Sequence, residues 1–383
     1  RQDILQFIEP IFPYSVVRSY NSSSDIQRRD RVFNVENTFM TMVITSLKED
    51  RSLQNSVRTF QEIFCKNRET TLQTALALKQ EQKLLIAETG INSADSIHIP
   101  ISKIKDISSN TAAFSKARNR VEQGLIDSVF RASTDFTDLN CVQKWYSRSV
   151  FNTDGTYFQM QDSPGIPAKY RVHKDSEGNA LGYPQGLLQV LTQHGSGFIH
   201  DYRIKGRDQS ELDIFVELLK EIPKPSVVLA DDLYNCYSLF CLSKDLGVDL
   251  IVPDKKNRPY RTVRVIGPGD EIVEIYKPHH KIRELIANQN IPTKILLRRI
   301  SYKDPEHPDE IRSLLTTIFD DEIERQEFIH KFSTRWDIEI TIREVKTIMG
   351  INIARSKTEE MVFKEIGVAL IAYNLVRKIV AKS

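Results

Sequence analysis

Cysteine is scarce in this sequence, and its spacing excludes two kinds of site. Four cysteines occur in 383 residues, at Cys65, Cys141, Cys236 and Cys241. No two of them form a CxxC pair, so neither a structural zinc site nor a disulfide framework is indicated. We therefore expect reduced thiols in the core.

Long apolar runs and a large net charge are also absent. No stretch approaches the roughly 18 to 20 consecutive apolar residues of a membrane helix, and the first residues lack the apolar segment of a secretory signal. The 53 basic residues are nearly balanced by 51 acidic ones, so composition alone does not predict nucleic-acid binding. The chain opens with Arg1 rather than methionine, so we expect a segment of a longer protein. These features predict a soluble intracellular protein that binds no membrane.

What is present is the composition of a globular protein with several domains. Hydrophobic residues make up 40% of the chain and charged residues 27%. Apolar residues at helical spacing dominate residues 1–147, whereas short alternating or wholly apolar runs alternate with helices after that. The wholly apolar run SVVLA lies between two helices, which is typical of a sheet covered on both faces. We predict a helical N-terminal domain over 1–147, an α/β core over 148–255 and 316–383, and a β-rich segment over 256–315.

The stretch FSTRWDIEITIREVK, residues 332–346, places charged side chains beside an apolar face. On one continuous helix, the residues Phe332, Arg335, Glu339 and Lys346 fall in a sector of about 60°. Glu339 would then lie at the edge of the core, where a carboxylate can meet a cation, while Arg335 and Lys346 reach toward phosphate oxygens. The alternative is an ordinary surface pair between Arg335 and Glu339 with a solvated Lys346.

Two further carboxylates lie at positions that favour a site. Asp154 is inside the predicted strand NTDGTYF, and the glycine after it permits the close approach of another group. Asp231 follows the strand SVVLA, at the end where α/β sheets collect ligands; the alternative is that it caps the next helix together with Asp232. With Glu339, these acids predict a site for one or two Mg²⁺ ions that serve in-line phosphoryl displacement.

These motifs resemble those of the DDE-type transposases of the insertion-sequence-four family. The third-acid signature of that family is Y-x2-R-x3-E-x6-K, and Phe332, Arg335, Glu339 and Lys346 match it with phenylalanine in place of tyrosine. The letters DGT at Asp154 resemble the first-acid strand, and VVLADDLYNCYSLFCLSKDLGVDLIV resembles the second-acid strand with its following helix. The similarity extends to the N-terminal segments FNVENTFMTMVITSLKEDRSLQNSV and SSNTAAFSKARNRV and to GVALIAYNLVR near the end.

The resemblance implies a fold and an activity. The fold is an RNase H-like mixed sheet flanked by helices, with a β-rich insertion between the second and third acids and a helical N-terminal domain that binds transposon ends. Asp154, Asp231 and Glu339 would be the catalytic acids and would hold two Mg²⁺ ions, for which Mn²⁺ can substitute. The activity is cut-and-paste transposition, in which transposon ends are cut and the 3′-hydroxyl is joined to target DNA.

The resemblance also implies partners. These are double-stranded DNA, as terminal repeats and as target, and a second copy of the chain in a homodimer on paired ends. A cytoplasmic, nucleoid-associated protein of a bacterium is expected. The predicted DNA contacts are Phe332, Arg335 and Lys346 of the signature and Lys277, Arg298 and Arg299 of the β-rich segment. For the last three, a solvated strand face is the alternative.

Two departures from the family pattern leave other functions open. Phe332 lacks the hydroxyl of tyrosine, although its ring can still stack or pack, and Asp232 adds a carboxylate directly after the second acid. The alternatives are a catalytically silent DNA-binding relative, acting as a repressor or an architectural protein, and a nuclease that cuts without joining. Trp145 and Trp336 could stack on bases, but we expect both to be buried.

Overall fold

A computed structural model describes residues 7–23, 32–63, 110–135, 144–171, 173–174, 176–177, 180–279, 284–304, 307 and 309–382. The chain divides into two compact units, one from Pro13 to Val129 and the other formed by the residues outside that range. Of the four cysteines, Cys236 and Cys241 are described and are free thiols. No helix in the described ranges is both long and apolar enough to cross a membrane.

The unit from Pro13 to Val129 is helical where it is described. Its helices are α1 (Tyr14–Ser23), α2 (Val35–Ser46), α3 (residues 53–63), α4 (Thr111–Asn119) and α5 (Gln123–Ser133), the last running past the end of the unit. Asn110 caps α4, with its side chain accepting a hydrogen bond from the backbone N–H of Ala112. The ring of Phe33 packs against Phe60 and Phe114, with centroids 4.5 and 5.5 Å away. An aromatic core therefore holds these helices together.

The second unit contains a nine-stranded mixed sheet in the order β5-β4-β1-β6-β7-β11-β10-β9-β8. The strands are β1 (Ser149–Gln159), β4 (Gln185–Gln193), β5 (Ile199–Lys205), β6 (Ser226–Leu229), β7 (Val248–Pro253), β8 (Arg261–Gly267), β9 (Asp270–Tyr276), β10 (Lys294–Lys303) and β11 (Ile311–Thr316). The short strands β2 (His173–Lys174) and β3 (Ala180–Leu181) pair separately. In the large sheet, β4 and β5 run antiparallel to their neighbours, whereas β6 and β7 are parallel to β1.

The strands of the predicted β-rich segment continue this same sheet. The last of them, β11, pairs antiparallel with β7, and β10, β9 and β8 follow outward. A tight turn between Gly267 and Asp270 joins β8 to β9. Strand β11 falls almost entirely within the predicted β-rich segment, but local alternation does not mark it as a strand, because its first half, with Ile311 and Arg312, is exposed.

Helices cover both faces of the sheet. Helix α6 (Glu211–Glu221) starts with a capping box between Ser210 and Asp213, and α7 (Tyr237–Leu246) ends at Gly247, which adopts a left-handed conformation. Together they bury one apolar cluster against the sheet. A second cluster contains Phe328 of α8 (Arg325–Ser333), while α9 (Asp337–Thr347) packs on β1 and α10 (Glu359–Lys382) packs on α9 and β5. The prediction of a mixed α/β sheet flanked by helices is confirmed.

Candidate active site

Asp154 and Asp231 are brought together by the pairing of two parallel strands. The strand β6 pairs with residues 149–152 of β1, where Leu229 lies opposite Asn152. Because β6 ends there, the chain that continues to Asp231 passes beside the region of β1 that carries Asp154. The carboxyl end of a parallel strand is where α/β sheets place functional groups.

Backbone amides orient both carboxylates. Oδ1 of Asp154 accepts a hydrogen bond of 2.8 Å from the N–H of Gly155. Oδ1 of Asp231 accepts one of 2.9 Å from the N–H of Leu233, and Asp231 caps the short 3₁₀ turn Asp232–Tyr234. The capping role considered from the sequence is therefore present, although Asp232 is exposed and the capped element is this turn rather than α7.

The acids share a partly buried environment with excess negative charge. The pKa of Asp154 is raised to about 6, mainly by burial; the charges of Asp231 and Glu339 add to the rise, while the N–H of Gly155 and the charge of Arg335 oppose it. Burial is also the main reason that the pKa of Asp231 is raised, with the N–H of Leu233 and Arg335 acting against it. The positive charge near Asp154 and Asp231 is therefore too small to offset the effect of burial on their pKa values.

Arg335 is the cation that accompanies the acids. Its side chain is 14% exposed, and its Nη2 lies 3.6 Å from Oε1 of Glu339, whose side chain is 44% exposed. The surface pair considered from the sequence is thus present. Its guanidinium nevertheless acts on Asp154 and Asp231 as well, so the pair belongs to the acid cluster rather than to a remote surface.

The donor set fits a hard divalent cation. Asp154 and Asp231 offer carboxylate oxygens, which Mg²⁺ prefers, in a place where added positive charge would offset their repulsion. In the described ranges of the chain, no three His, Cys, Asp or Glu side chains stand close enough to share one ion. Glu339 is paired with Arg335 through its Oε1 instead.

The signature is not one continuous α-helix, which corrects the sequence prediction. Helix α8 ends at Ser333, a 3₁₀ turn spans Thr334–Trp336, and α9 begins at Asp337. The hydroxyls of Ser333 and Thr334 donate to the carbonyls three residues earlier, at 2.8 and 2.7 Å. Such side-chain bonds compete with the helical pattern, which accounts for the break.

The other signature residues have different environments. Phe332 packs partly buried against the cluster of Phe328, so its ring serves the core. The guanidinium of Arg335 also lies over the rings of Phe332 and Trp336, at 5.8 and 5.5 Å. Lys346 is half-buried in the last turn of α9. Trp336 is 62% exposed, so the expectation that it is buried was wrong, whereas Trp145 is buried as expected.

Of the three basic residues singled out in the β-rich segment, one is exposed and two form ion pairs with acidic side chains. Lys277 is exposed directly after β9. Arg298 is completely buried, with Nε and Nη2 on Asp270 at 2.8 and 2.6 Å, so its predicted DNA contact is not compatible with the structure. Arg299 is 19% exposed and pairs with Asp254 and Glu271. Both arginines lie within a sheet region covered by other groups, which charge alone did not reveal.

Glu211 is a further acid near the site, and sequence reasoning missed it. Its pKa is raised by burial and then by the charges of Asp154 and Asp231. It is the first residue of α6, where an acid is ordinary because of the helix dipole. The available signal was the glycine after Asp154, which indicated that some group approaches β1 closely.

His194 connects β1 to the 3₁₀ turn of the signature and was also missed. Its Nδ1 lies 3.3 Å from Nδ2 of Asn152, and its Nε2 lies 3.1 Å from Oγ1 of Thr334. Thr334 donates its hydroxyl proton to the carbonyl of Lys331, so Nε2 of His194 donates and Nδ1 accepts. Burial and the charge of Lys331 lower the pKa of His194, with Asp337 opposing, so the neutral ring fits this network.

Replacing His194 with glutamine is expected to weaken the fold and to flatten its acid sensitivity. The lost hydrogen bond should lower the free energy of unfolding by about 1 kcal/mol at about pH 7.5. The folded pKa of His194 is below its ordinary 6.5, so the wild type loses stability as the pH falls below about 6.5, and the variant should lose less. Urea unfolding at about pH 7.5 and pH 5.5 measures both effects, with the exposed His330→Gln as control. Equal acid sensitivity in wild type and His194→Gln would contradict the neutral-ring assignment.

Comparison with known proteins places the chain in a family. The model of the transposase DDE domain matches residues 145–375, which is more than half of the chain and includes all three acids. The transposase InsG for insertion sequence element IS4 of Escherichia coli (strain K12) is 25% identical over 238 residues, which cover 61% of this chain and 52% of InsG. The chain thus spans about half the length of that relative.

A solved structure is also similar at low identity. The cryo-EM structure of a piggyBac transposase synaptic complex with hairpin DNA shares 10% identity, with a TM-score of 0.44, over 98% of this chain and 73% of that one. The family assignment comes from the domain match and agrees with the resemblance predicted from the sequence. The chain carries a transposase DDE domain and belongs to the DDE transposase family.

Proposed function

We propose that this chain is a metal-dependent DNA transposase that cuts transposon ends and joins the 3′-hydroxyl to target DNA by in-line phosphoryl transfer. The observation that carries the proposal is the convergence of Asp154, Asp231 and Glu339 around Arg335. These residues come from β1, the end of β6 and α9, so only the tertiary fold brings them together. A partly buried cluster of acids with one arginine suits phosphoryl transfer, because it can bind a cation and a phosphate side by side.

The arrangement of strands supports an RNase H-like core. Three antiparallel strands, β1, β4 and β5, are followed by β6 and β7, which are parallel to β1. We propose that β8 to β11 are the insertion between the second and third acids, although they extend the same sheet. The core would then comprise 148–255 and 316–383, the insertion would comprise 256–315, and the helical N-terminal domain, residues 1–147, would bind transposon ends.

Asp154, Asp231 and Glu339 are the residues that would hold two Mg²⁺ ions, or Mn²⁺ in their place. Bound divalent ions supply Lewis-acid stabilisation of the attacking and leaving oxygens in such a reaction. Glu339 would exchange its contact with Arg335 for this role, and Arg335 would then be free to bind a phosphate oxygen. Arg335, whose charge offsets that of Asp154 and Asp231, would thus become a substrate-binding group.

The DNA contacts that we propose lie on the signature segment and directly after β9. Arg335 and the half-buried Lys346 lie on the signature segment and would hold the DNA backbone, which positions a substrate without reading its sequence. Phe332 would support Arg335 from the core side, and the exposed Trp336 is available to stack on a base. Lys277 remains a backbone contact in this proposal, whereas Arg298 does not.

The partners follow from the activity. The substrate would be double-stranded DNA, both terminal repeats and target, and two copies of the chain would act on paired ends. The site of action would be the nucleoid of a bacterial cell. These statements concern a whole transposase. The region matched in InsG is only about half of that relative's length.

The test is cleavage and joining of DNA that carries the element's own ends, in Mg²⁺, by the wild type and by Asp231→Asn. The wild type is expected to release 3′-hydroxyl ends and to join them to a target, while the variant binds the same DNA without cutting it. Cleavage without joining would identify a nuclease. Binding without cleavage by the wild type, in Mg²⁺ and in Mn²⁺, would identify a silent DNA-binding relative.

A further inference from the structure

The space beside Gly155 is filled by a carboxyl group. A Cβ atom on Gly155 would lie 2.6 Å from Cδ of Glu211 and 2.7 Å from its Oε2, closer than any side chain tolerates. Gly155 lies within β1, and the carboxyl group of Glu211 would have to move if this residue carried a side chain. The absence of a side chain directly after Asp154 therefore lets Glu211 reach the backbone of the strand that carries the first acid.

A buried amide oxygen points into the same space. Gln189 lies directly opposite Gly155 on β4 and is completely buried. Its Nε2 donates to Oγ1 of Thr153 at 2.9 Å and to the hydroxyl of Tyr234 at 2.6 Å. Its Oε1 has no hydrogen-bond partner among the described residues and lies 2.9 Å from the same Cβ position. A carboxylate and an amide oxygen thus converge on one point, which is unfavourable unless a proton or a cation lies between them.

The carboxyl group of Glu211 interacts electrostatically with the same buried tyrosine as Asp154 and Asp231. Tyr234 is buried beneath it, and its pKa is raised first by burial and then by Glu211, with Asp154 and Asp231 adding to the effect and the Gln189 hydrogen bond opposing it. The hydroxyl of Tyr234 therefore senses all three carboxylates. Oxygen atoms of carboxylates and amides are the ligands that hard divalent cations prefer.

We propose that Glu211 is a fourth carboxylate of the site. It would help to hold a divalent cation once its side chain and those of Asp154 and Asp231 move closer together than they lie in this structure. The oxygen of Gln189 assists as a neutral donor. This inference rests on the proposed function, because it assumes that the acids bind a cation. It also gives the glycine after Asp154 a role, because a side chain there would displace the carboxyl group of Glu211 from its present position.

The test measures metal binding without activity. Mn²⁺ is titrated into the chelator-treated full chain, and free Mn²⁺ is followed by electron paramagnetic resonance. Glu211→Gln is expected to weaken Mn²⁺ binding about tenfold or more, and Asp231→Asn is expected to do the same. The matched control is Glu221→Gln, an exposed carboxylate at the other end of α6, which should bind Mn²⁺ like the wild type. Circular dichroism verifies that each variant is folded.

The outcomes separate this inference from the proposed function. Unchanged affinity in Glu211→Gln, with weakened affinity in Asp231→Asn, would overturn the role of Glu211 alone; it would indicate that the Gln189 amide is turned and donates to a structural carboxylate. Unchanged affinity in both variants would remove the metal site itself. If Glu211→Gln fails to fold, Glu211→Asp is used instead. Aspartate keeps the charge at the start of α6, but its side chain is one methylene shorter and does not reach as far toward β1. Full affinity in that variant would also contradict the proposal.

Discussion

Asp154→Asn is expected to reduce DNA cleavage about 10³-fold while making the metal-free protein more stable. If the loss of one metal-binding carboxylate removes about 4 kcal/mol of transition-state stabilisation, the rate falls by about that factor. Asparagine keeps the shape of aspartate and still accepts the hydrogen bond from Gly155. DNA binding should therefore persist while catalysis is lost.

The gain in stability follows from the raised pKa of Asp154. Its folded pKa is about 6, against an ordinary 3.8, so ionisation opposes folding increasingly as the pH rises above 3.8 and fully once it exceeds about 6. Below about pH 4 the carboxyl is protonated in both states and the effect vanishes. A shift of this size corresponds to about 1 to 3 kcal/mol, given that Asp154 is only partly buried. The advantage of asparagine should thus appear between about pH 4 and 6 and remain above that range.

Urea unfolding in EDTA at about pH 4 and pH 8 separates these statements. Asp154→Asn should exceed the wild type at the higher pH and match it at the lower one, while the exposed Asp309→Asn should match it at both. A variant that is less stable than the wild type at the higher pH would mean that Arg335 and the backbone amide stabilise the Asp154 carboxylate more than burial penalises it. Loss of DNA binding in Asp154→Asn would point to a structural role instead.

The elements of the α/β core could be predicted because their patterns are local. The run SVVLA is buried along its whole length in β6, and the helix that follows Ser210 starts with a side-chain cap that the sequence displays. Strand β11 could not be predicted in this way, because its first half is exposed and its pairing with β7 depends on residues far away in the chain. Tertiary pairing, rather than local alternation, determines that strand.

The candidate site shows the same division. The spacing from Arg335 to Glu339 predicted their contact, because residues four positions apart are neighbours on a helical path even when one turn is tightened. The break at Thr334–Trp336 depends on hydroxyl bonds that propensity does not include, and it leaves Trp336 exposed. Glu211 meets Gly155 only through the packing of α6 on the sheet, so the sequence indicated a close approach but not its partner.

Arg298→Met is expected to destabilise the fold by about 3 to 5 kcal/mol, because it leaves a buried carboxylate without its counter-ion. Arg298 is completely buried and Asp270 is 4% exposed. The guanidinium also donates to the carbonyl of Ile323 at 2.8 Å and lies over the ring of Phe328, 4.7 Å from its centroid. Methionine can retain the packing on Phe328 but offers no donor. Such a loss is a large fraction of the usual stability of a folded protein, about 5 to 15 kcal/mol.

Urea unfolding of two further variants distinguishes a structural from a DNA-binding arginine. Arg299→Met, on the same strand, should cost less than Arg298→Met, because Arg299 is 19% exposed and Asp254 keeps a second partner in Arg258. Arg298→Met combined with Asp270→Leu should regain most of the lost stability, since the unpaired charge is removed together with its partner. If Arg298→Met instead keeps the stability of the wild type and weakens DNA binding, the ion pair with Asp270 does not stabilise the fold. The DNA contact predicted for Arg298 from the sequence would then be supported. A stable double variant with unaltered DNA affinity would assign Arg298 to the fold alone, because a phosphate contact could not survive the loss of the guanidinium.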